Sequence, residues 1–139
     1  MKDGARDERR RGVGGPGGPL HVNWSEVPAE PAGEGVERQM VVGRRIMLCR
    51  LRFAPNVVTP VHEHPHEQMT IVERGRVRFF IEGGERVASA GDVLHFPPGC
   101  RHGATMLDEE VVLVDIFSPP REDFLATPSA STPRTDEIE

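Results

Sequence analysis

The sequence contains no apolar run longer than about seven residues, far short of the ~20 needed to cross a bilayer, so a membrane span is not expected. It also has no basic stripe with aromatic residues set into it. With 17 Lys plus Arg against 22 Asp plus Glu, the formal charge of its 139 residues is −5, and nucleic acid is not an expected partner. A secretory leader is not legible either. Met1–Arg11 is highly charged and no apolar stretch follows it, which reads as a cytoplasmic protein. Cysteine is scarce: there are two, Cys49 and Cys100, and in that compartment two thiols are expected to be free rather than bridged. No long helical periodicity and no repeat at fixed period is present.

What remains is a β pattern between two polar ends. Residues 1–20 carry Arg9, Arg10 and Arg11, then a run of Gly and Pro that cannot bury enough apolar area to offset its ordering entropy; this segment reads as disordered. Residues 126–139, rich in Ser, Thr, Pro and acid, read as a disordered tail. The folded unit is expected over 21–125. Inside it, strand-like runs recur about every ten residues: Arg45–Phe53, Val57–Val61, Gln68–Glu73, Val77–Glu82, Asp92–Phe96 and Val111–Phe117. Turn signals such as Arg74-Gly75, Gly83-Gly84 and Pro97-Pro98-Gly99 separate them. One short helical stretch is expected at Pro120–Leu125, where proline opens it and acids follow. Short strands at this spacing predict an all-β sandwich or closed barrel in a single domain.

Two polar stretches carry the chemistry. In Val61-His62-Glu63-His64-Pro65-His66-Glu67-Gln68, three of the six histidines fall within five residues. Side chains at i and i+2 share one face of an extended strand, so His62 and His64 can share a metal ion. Gln68 opens the next strand with the parity of Thr70 and Val72. The second stretch runs from Gly91-Asp92 through His95 and a Pro97-Pro98-Gly99 bend to Cys100 and His102. That bend can return His102 toward the first pair.

These stretches resemble the two motifs of the cupin superfamily. The first matches as His62, His64, Gln68 and Gly75, and the second as Gly91, Pro97, Gly99 and His102. The resemblance implies a double-stranded β-helix of jelly-roll type, with one divalent metal ion held by His62, His64, Gln68 and His102. It also implies a homodimer. Three positions depart from the pattern. Gln68 stands where glutamate is usual, Asn56 where glycine is usual, and Met106 where asparagine is usual. A neutral glutamine leaves the bound metal more positive and a harder Lewis acid. In this context the chain resembles cupins of pectin degradation that open unsaturated uronate rings, and cupins that cyclise aromatic polyketides. The segment Asp115–Phe124 looks like the end of that same subgroup.

Other residues have a packing or solvent reading beside any functional one. His66 and Glu67 are expected to face solvent, with Glu67 a substitute ligand only after a register change. Cys100 shares the parity of His102 and is a conceivable thiolate ligand; Cys49 reads as a small core residue. His95 is either exposed on a barrel strand or, if it points inward, the general acid–base of the site. Arg50, Arg52 and Arg78 read as solvated outer-face residues, although one turned inward can bind a substrate carboxylate or enolate. Phe79, Phe80 and Phe117 read as core, with one or two lining the cavity. Met40, Met47 and Met69 read as packing, and Trp24 as a cover for a sheet edge or dimer contact. The leading functional expectation is a non-oxidative, metal-dependent enzyme, with Zn, Ni, Mn or Fe, that cyclises or isomerises a polyketide or keto-sugar carbonyl compound. The alternatives are an Fe(II) dioxygenase and a small-molecule-binding module without catalysis.

Overall fold

A computed structural model describes residues 19–125 and 132–134. Ten strands are present: β1 (Glu30–Pro31), β2 (Val36–Val42), β3 (Met47–Phe53), β4 (Val58–His62), β5 (Glu67–Arg74), β6 (Arg76–Ile81), β7 (Gly84–Ser89), β8 (Val93–Phe96), β9 (His102–Met106) and β10 (Val111–Ser118). They form two antiparallel sheets, one in the order β1-β2-β3-β10-β5-β8 and one in the order β4-β9-β6-β7. The chain is all-β, with two sheets face to face in jelly-roll fashion. The expected helix at Pro120–Leu125 is a single 3-10 turn over Glu122–Leu125.

The core follows from period-2 alternation. Along β5, Gln68, Thr70 and Val72 are buried, while Glu67, Met69 and Glu73 are exposed. The residues facing inward from both sheets build one apolar cluster that includes Phe53, Val72, Val77, Phe79, Phe96, Met106 and Leu113. A second cluster, of Met40, Val42, Met47, Cys49 and Phe117, lies along β2, β3 and β10. Met69 is a correction. It was expected to pack, but it is 45 % exposed on the outer face, because the inward parity of β5 belongs to Gln68.

Four strands are not legible in the sequence: the two-residue β1, and β2, β7 and β9. β2 carries Arg38 on its inward side, and β7 reads as polar. β9 begins His102-Gly103-Ala104, too small a set to signal a strand. Small residues are required there, because a Cβ on Gly103 would lie 3.0 Å from the Thr59 carbonyl and from the Val61 backbone. Asn56 adopts φ of +66°, the left-handed region its side chain tolerates.

The disordered segment expected over 1–20 falls outside the described residues except for Pro19 and Leu20. The tail expected over 126–139 is described only at 132–134, and those three residues do not hang free. Arg134 forms a parallel bridge with Val42, and the Val42 N–H donates to the Pro133 carbonyl at 2.9 Å. β1 covers only the first half of that edge of β2, through Glu30 opposite Arg38 and Pro31 opposite Glu37, and the Pro133–Arg134 segment meets its far end.

Gly75 sets the tight connection between β5 and β6. Its φ is +85°, and an added Cβ would collide with the Glu110 carbonyl oxygen and stand 2.9 Å from Val111 Cγ2. Gly75→Ala is therefore expected to destabilise the fold by about 2–3 kcal/mol, read as a lower urea midpoint with an unchanged slope.

Candidate metal centre and cavity

Pairing between the ends of β4 and β9 builds the site. His62 and His102 are direct cross-strand partners, just past an irregularity in the ladder after Thr59. His64 follows two residues later in the loop to β5. The three rings converge: centroids are 4.5 Å apart for His62 and His102, 5.1 Å for His64 and His102, and 5.5 Å for His62 and His64. One ligand nitrogen from each lies within 4.8 Å of the others, so the three imidazoles can hold a metal ion. His62 is exposed at the rim, and His64 and His102 are buried.

Each ring is oriented by the backbone. Nδ1 of His62 lies 3.0 Å from the Pro60 carbonyl oxygen, Nδ1 of His64 lies 3.2 Å from that of His66, and Nδ1 of His102 lies 2.9 Å from that of Cys100. A carbonyl only accepts, so in His62 and His102 Nδ1 carries the proton and Nε2 presents a lone pair, whereas His64 faces an acceptor oxygen at each ring nitrogen. Phe96 stacks on His102 at 4.5 Å, and Phe117 sets its edge against His64 at 5.7 Å. Burial, then the Arg121 charge and the neighbouring imidazoles, pushes His64 down to about 4. Burial likewise lowers His102. Both rings are thus neutral, the form that ligates metal.

Gln68 is held by a chain of hydrogen bonds. Its amide Nε2 donates to Thr70 Oγ1 at 2.9 Å, and the Thr70 hydroxyl donates to Asp115 Oδ1 at 2.6 Å. This fixes the amide so that Oε1 faces His64 Nε2 at 3.0 Å. In the tautomer with the proton on Nδ1, Nε2 and Oε1 are both acceptors, which a shared cation would bridge; in the other, Nε2 donates to Oε1. The donor set of three imidazole nitrogens and an amide oxygen fits a divalent ion of the Zn, Ni, Mn or Fe type.

His62, Gln68 and His102 border a cavity of about 260 Å³ whose other walls include Phe79, Phe117, Phe124, Arg38, Arg121 and Asp115. Asp115 is the carboxylate that the sequence reading lacked. It lies on the inward side of β10, opposite Cys49 on β3 and Thr70 on β5. Burial pushes its carboxyl up to about 6, against the opposing pull of the Thr70 hydrogen bond and the Arg121 guanidinium. Arg121 follows β10 and is buried. Its Nε and Nη2 fork onto Asp123 at 3.0 and 2.7 Å, and its Cζ lies 4.2 Å from the Phe124 centroid and 5.1 Å from that of Phe117. A charge alone within the apolar run Val111–Phe117 was the signal for Asp115.

His95 requires a correction. It pairs across β5–β8 with Met69, whereas Phe96 pairs with Gln68, so His95 points to the outer face. There its Nε2 meets Glu67 Oε2 at 2.7 Å, with both residues exposed. It does not reach the cavity and is not the acid–base of this site. Glu67, paired outward, is equally removed from the imidazoles. Cys100 is buried in the apolar core, and burial raises its thiol away from the thiolate form. Arg50, Arg52 and Arg78 pair with Glu73, Glu110 and Glu85 on outer faces. Trp24 opens a 3-10 turn whose carbonyl accepts from Gln39 Nε2, and its ring lies 5.9 Å from Arg50 Cζ.

Residues 49–117 match the family of the cupin domain. The pectin degradation protein KdgF of Dickeya dadantii is 34 % identical over 102 residues, which cover 72 % of this chain and 93 % of that protein. The chain belongs to the cupins. The structure of KdgF from a Halomonas species superposes on this cupin with a TM-score of 0.70 at 30 % identity, over 74 % of this chain and 94 % of that one. The polyketide cyclase RemF of Streptomyces resistomycificus shares the fold alone, with a TM-score of 0.64 at 20 % identity over 73 % of this cupin and 80 % of RemF.

Two outcomes test this site. The purified cupin is expected to retain one equivalent of divalent metal by elemental analysis. His62→Ala or His102→Ala should lower its metal affinity by at least about tenfold, whereas Gln68→Glu should keep it. In the metal-stripped protein, His64 should titrate near 4, read from its imidazole C–H resonances. Its depressed value means that His64 contributes its full stabilisation above about 6.5 and loses it as pH falls toward 4; Asp115, raised, contributes with the opposite sign.

Proposed function

We propose that this cupin is a metal-dependent, non-oxidative enzyme that isomerises a small carboxylated carbonyl compound derived from a sugar, with an unsaturated uronate as the best candidate. The observation that carries this reading is the shared cavity: His62 and His102 of the three converging imidazoles, the Asp115 carboxyl and the Arg121 guanidinium all border one small space. The likeness to KdgF at 34 % identity supports a uronate more than a polyketide.

A divalent ion at the imidazoles supplies Lewis acidity toward charge developing on a substrate oxygen. The chain supplies the remainder. Arg121 offers Nη1, outside its fork to Asp123, to the substrate carboxylate. Asp115, with a carboxyl held near 6, exchanges protons close to neutral pH. In ring opening of an unsaturated uronate, the anomeric hydroxyl loses a proton as the ring C–O bond breaks. The enolate so released takes a proton on carbon and becomes a ketone. One proton leaves and one returns, which a single carboxyl at the cavity wall can manage. Phe96, stacked on His102, and Phe117, against His64, hold the rings and keep water from the inner side.

The test is turnover of an unsaturated uronate monomer by the metal-loaded cupin, followed by loss of the ultraviolet absorbance of its conjugated double bond. Asp115→Asn is expected to lower kcat by about 10²–10⁴-fold with metal content unchanged. Equal rates in aerobic and anaerobic buffer are expected. A strict need for oxygen together with iron would instead favour the dioxygenase reading.

A further inference from the structure

Arg38 is the charge this fold has least reason to bury. It lies on the inward side of β2, in a cross-strand row with Leu51 on β3 and Leu113 on β10, and borders the cavity. Its side chain is only 17 % exposed. One ion pair is present, Nη2 to Glu30 Oε2 at 3.3 Å, and that partner sits on the two-residue strand β1 at the sheet edge. Nε of Arg38 is buried and has no acceptor among the described residues. A guanidinium with one ion-pair partner among them and a buried orphan N–H is poorly satisfied.

The surroundings suggest what completes it. The Phe124 ring lies between two guanidiniums, with Arg38 Cζ 4.6 Å from its centroid and Arg121 Cζ 4.2 Å from it. Two cations therefore border one small cavity and stand no more than about 9 Å apart, with an aromatic ring in contact with both. Arg121 is already forked onto Asp123, whereas Arg38 is not forked onto Glu30.

We propose that Arg38 is a specificity-determining residue that donates to a second oxygen function of the substrate, a hydroxyl or carbonyl remote from the carboxylate. The cavity then selects a polyoxygenated acid over an equally sized acid with a bare hydrocarbon end. This rests on the reading of the cavity as an acid-binding site and adds a demand to it. An apolar polyketide intermediate would bring no oxygen to the cavity-facing guanidinium of Arg38, and a sugar acid would.

Calorimetric titration of the intact, metal-loaded cupin with two probes tests this: galacturonate, which carries ring hydroxyls, and cyclohexanecarboxylate, which carries none. The wild type is expected to bind galacturonate at least about tenfold more tightly. Arg38→Met should remove that advantage while leaving cyclohexanecarboxylate affinity and metal content within about twofold of wild type. Arg38→Lys, which keeps the charge but has no Nε–H in that position, should fall between them and covers the case in which the methionine variant fails to fold. A variant that keeps the full galacturonate preference overturns the role of Arg38 and leaves the acid-binding site standing. A wild type that binds neither probe overturns both.

Discussion

The cross-strand pairing of His62 with His102 is the constraint on which the rest of this cupin depends. It ties the end of β4 to the start of β9, and with them two stretches of sequence some forty residues apart. The two strands approach so closely that only glycine fits beside His102, at Gly103. Once that contact exists, His64 needs only the short loop to β5 to join the pair, and Gln68 arrives with the inward parity of β5. The donor set is therefore a product of backbone register, and the side chains have little freedom left to lose when an ion is bound.

The second layer is equally ordered. Carbonyl oxygens of Pro60 and Cys100 fix the tautomers of His62 and His102, that of His66 orients the His64 ring, and Thr70 relays the Asp115 carboxyl to the Gln68 amide. The group that orients a ligand oxygen is thus also the group offered for proton transfer. Glutamate in place of Gln68 would put a second carboxylate at the end of that relay, and the neutral amide lets Asp115 carry the only negative charge in the relay.

Much of this was legible in the sequence, for reasons tied to particular residues. The i, i+2 spacing of His62 and His64, the parity of Gln68 with Thr70, and the Pro-Gly bend before His102 are local facts, and local facts survive folding. His95 was misjudged because its facing depends on which residue of β5 it meets, and a register between distant strands is not written in either strand alone. Met69 is a different case, because the inward parity of its neighbour Gln68 already turns it outward. Asp115 and Arg121 were passed over because their value comes from a cavity that exists only after both sheets close. Arg38 hid in β2, a strand that its own charge made hard to recognise.

Residues 132–134 give the large sheet an asymmetry. One boundary of β2 is occupied at both ends, by β1 beside Glu37 and Arg38 and by the Pro133–Arg134 segment beside Val42. At the opposite boundary, β8 pairs with β5 on one side, and its Val93 is 63 % exposed. Any extended peptide that seeks to lengthen this sheet by backbone pairing therefore meets a margin blocked at both ends at β2 and, among the described residues, an open one at β8, so the Pro133–Arg134 segment hinders edgewise self-association on that side.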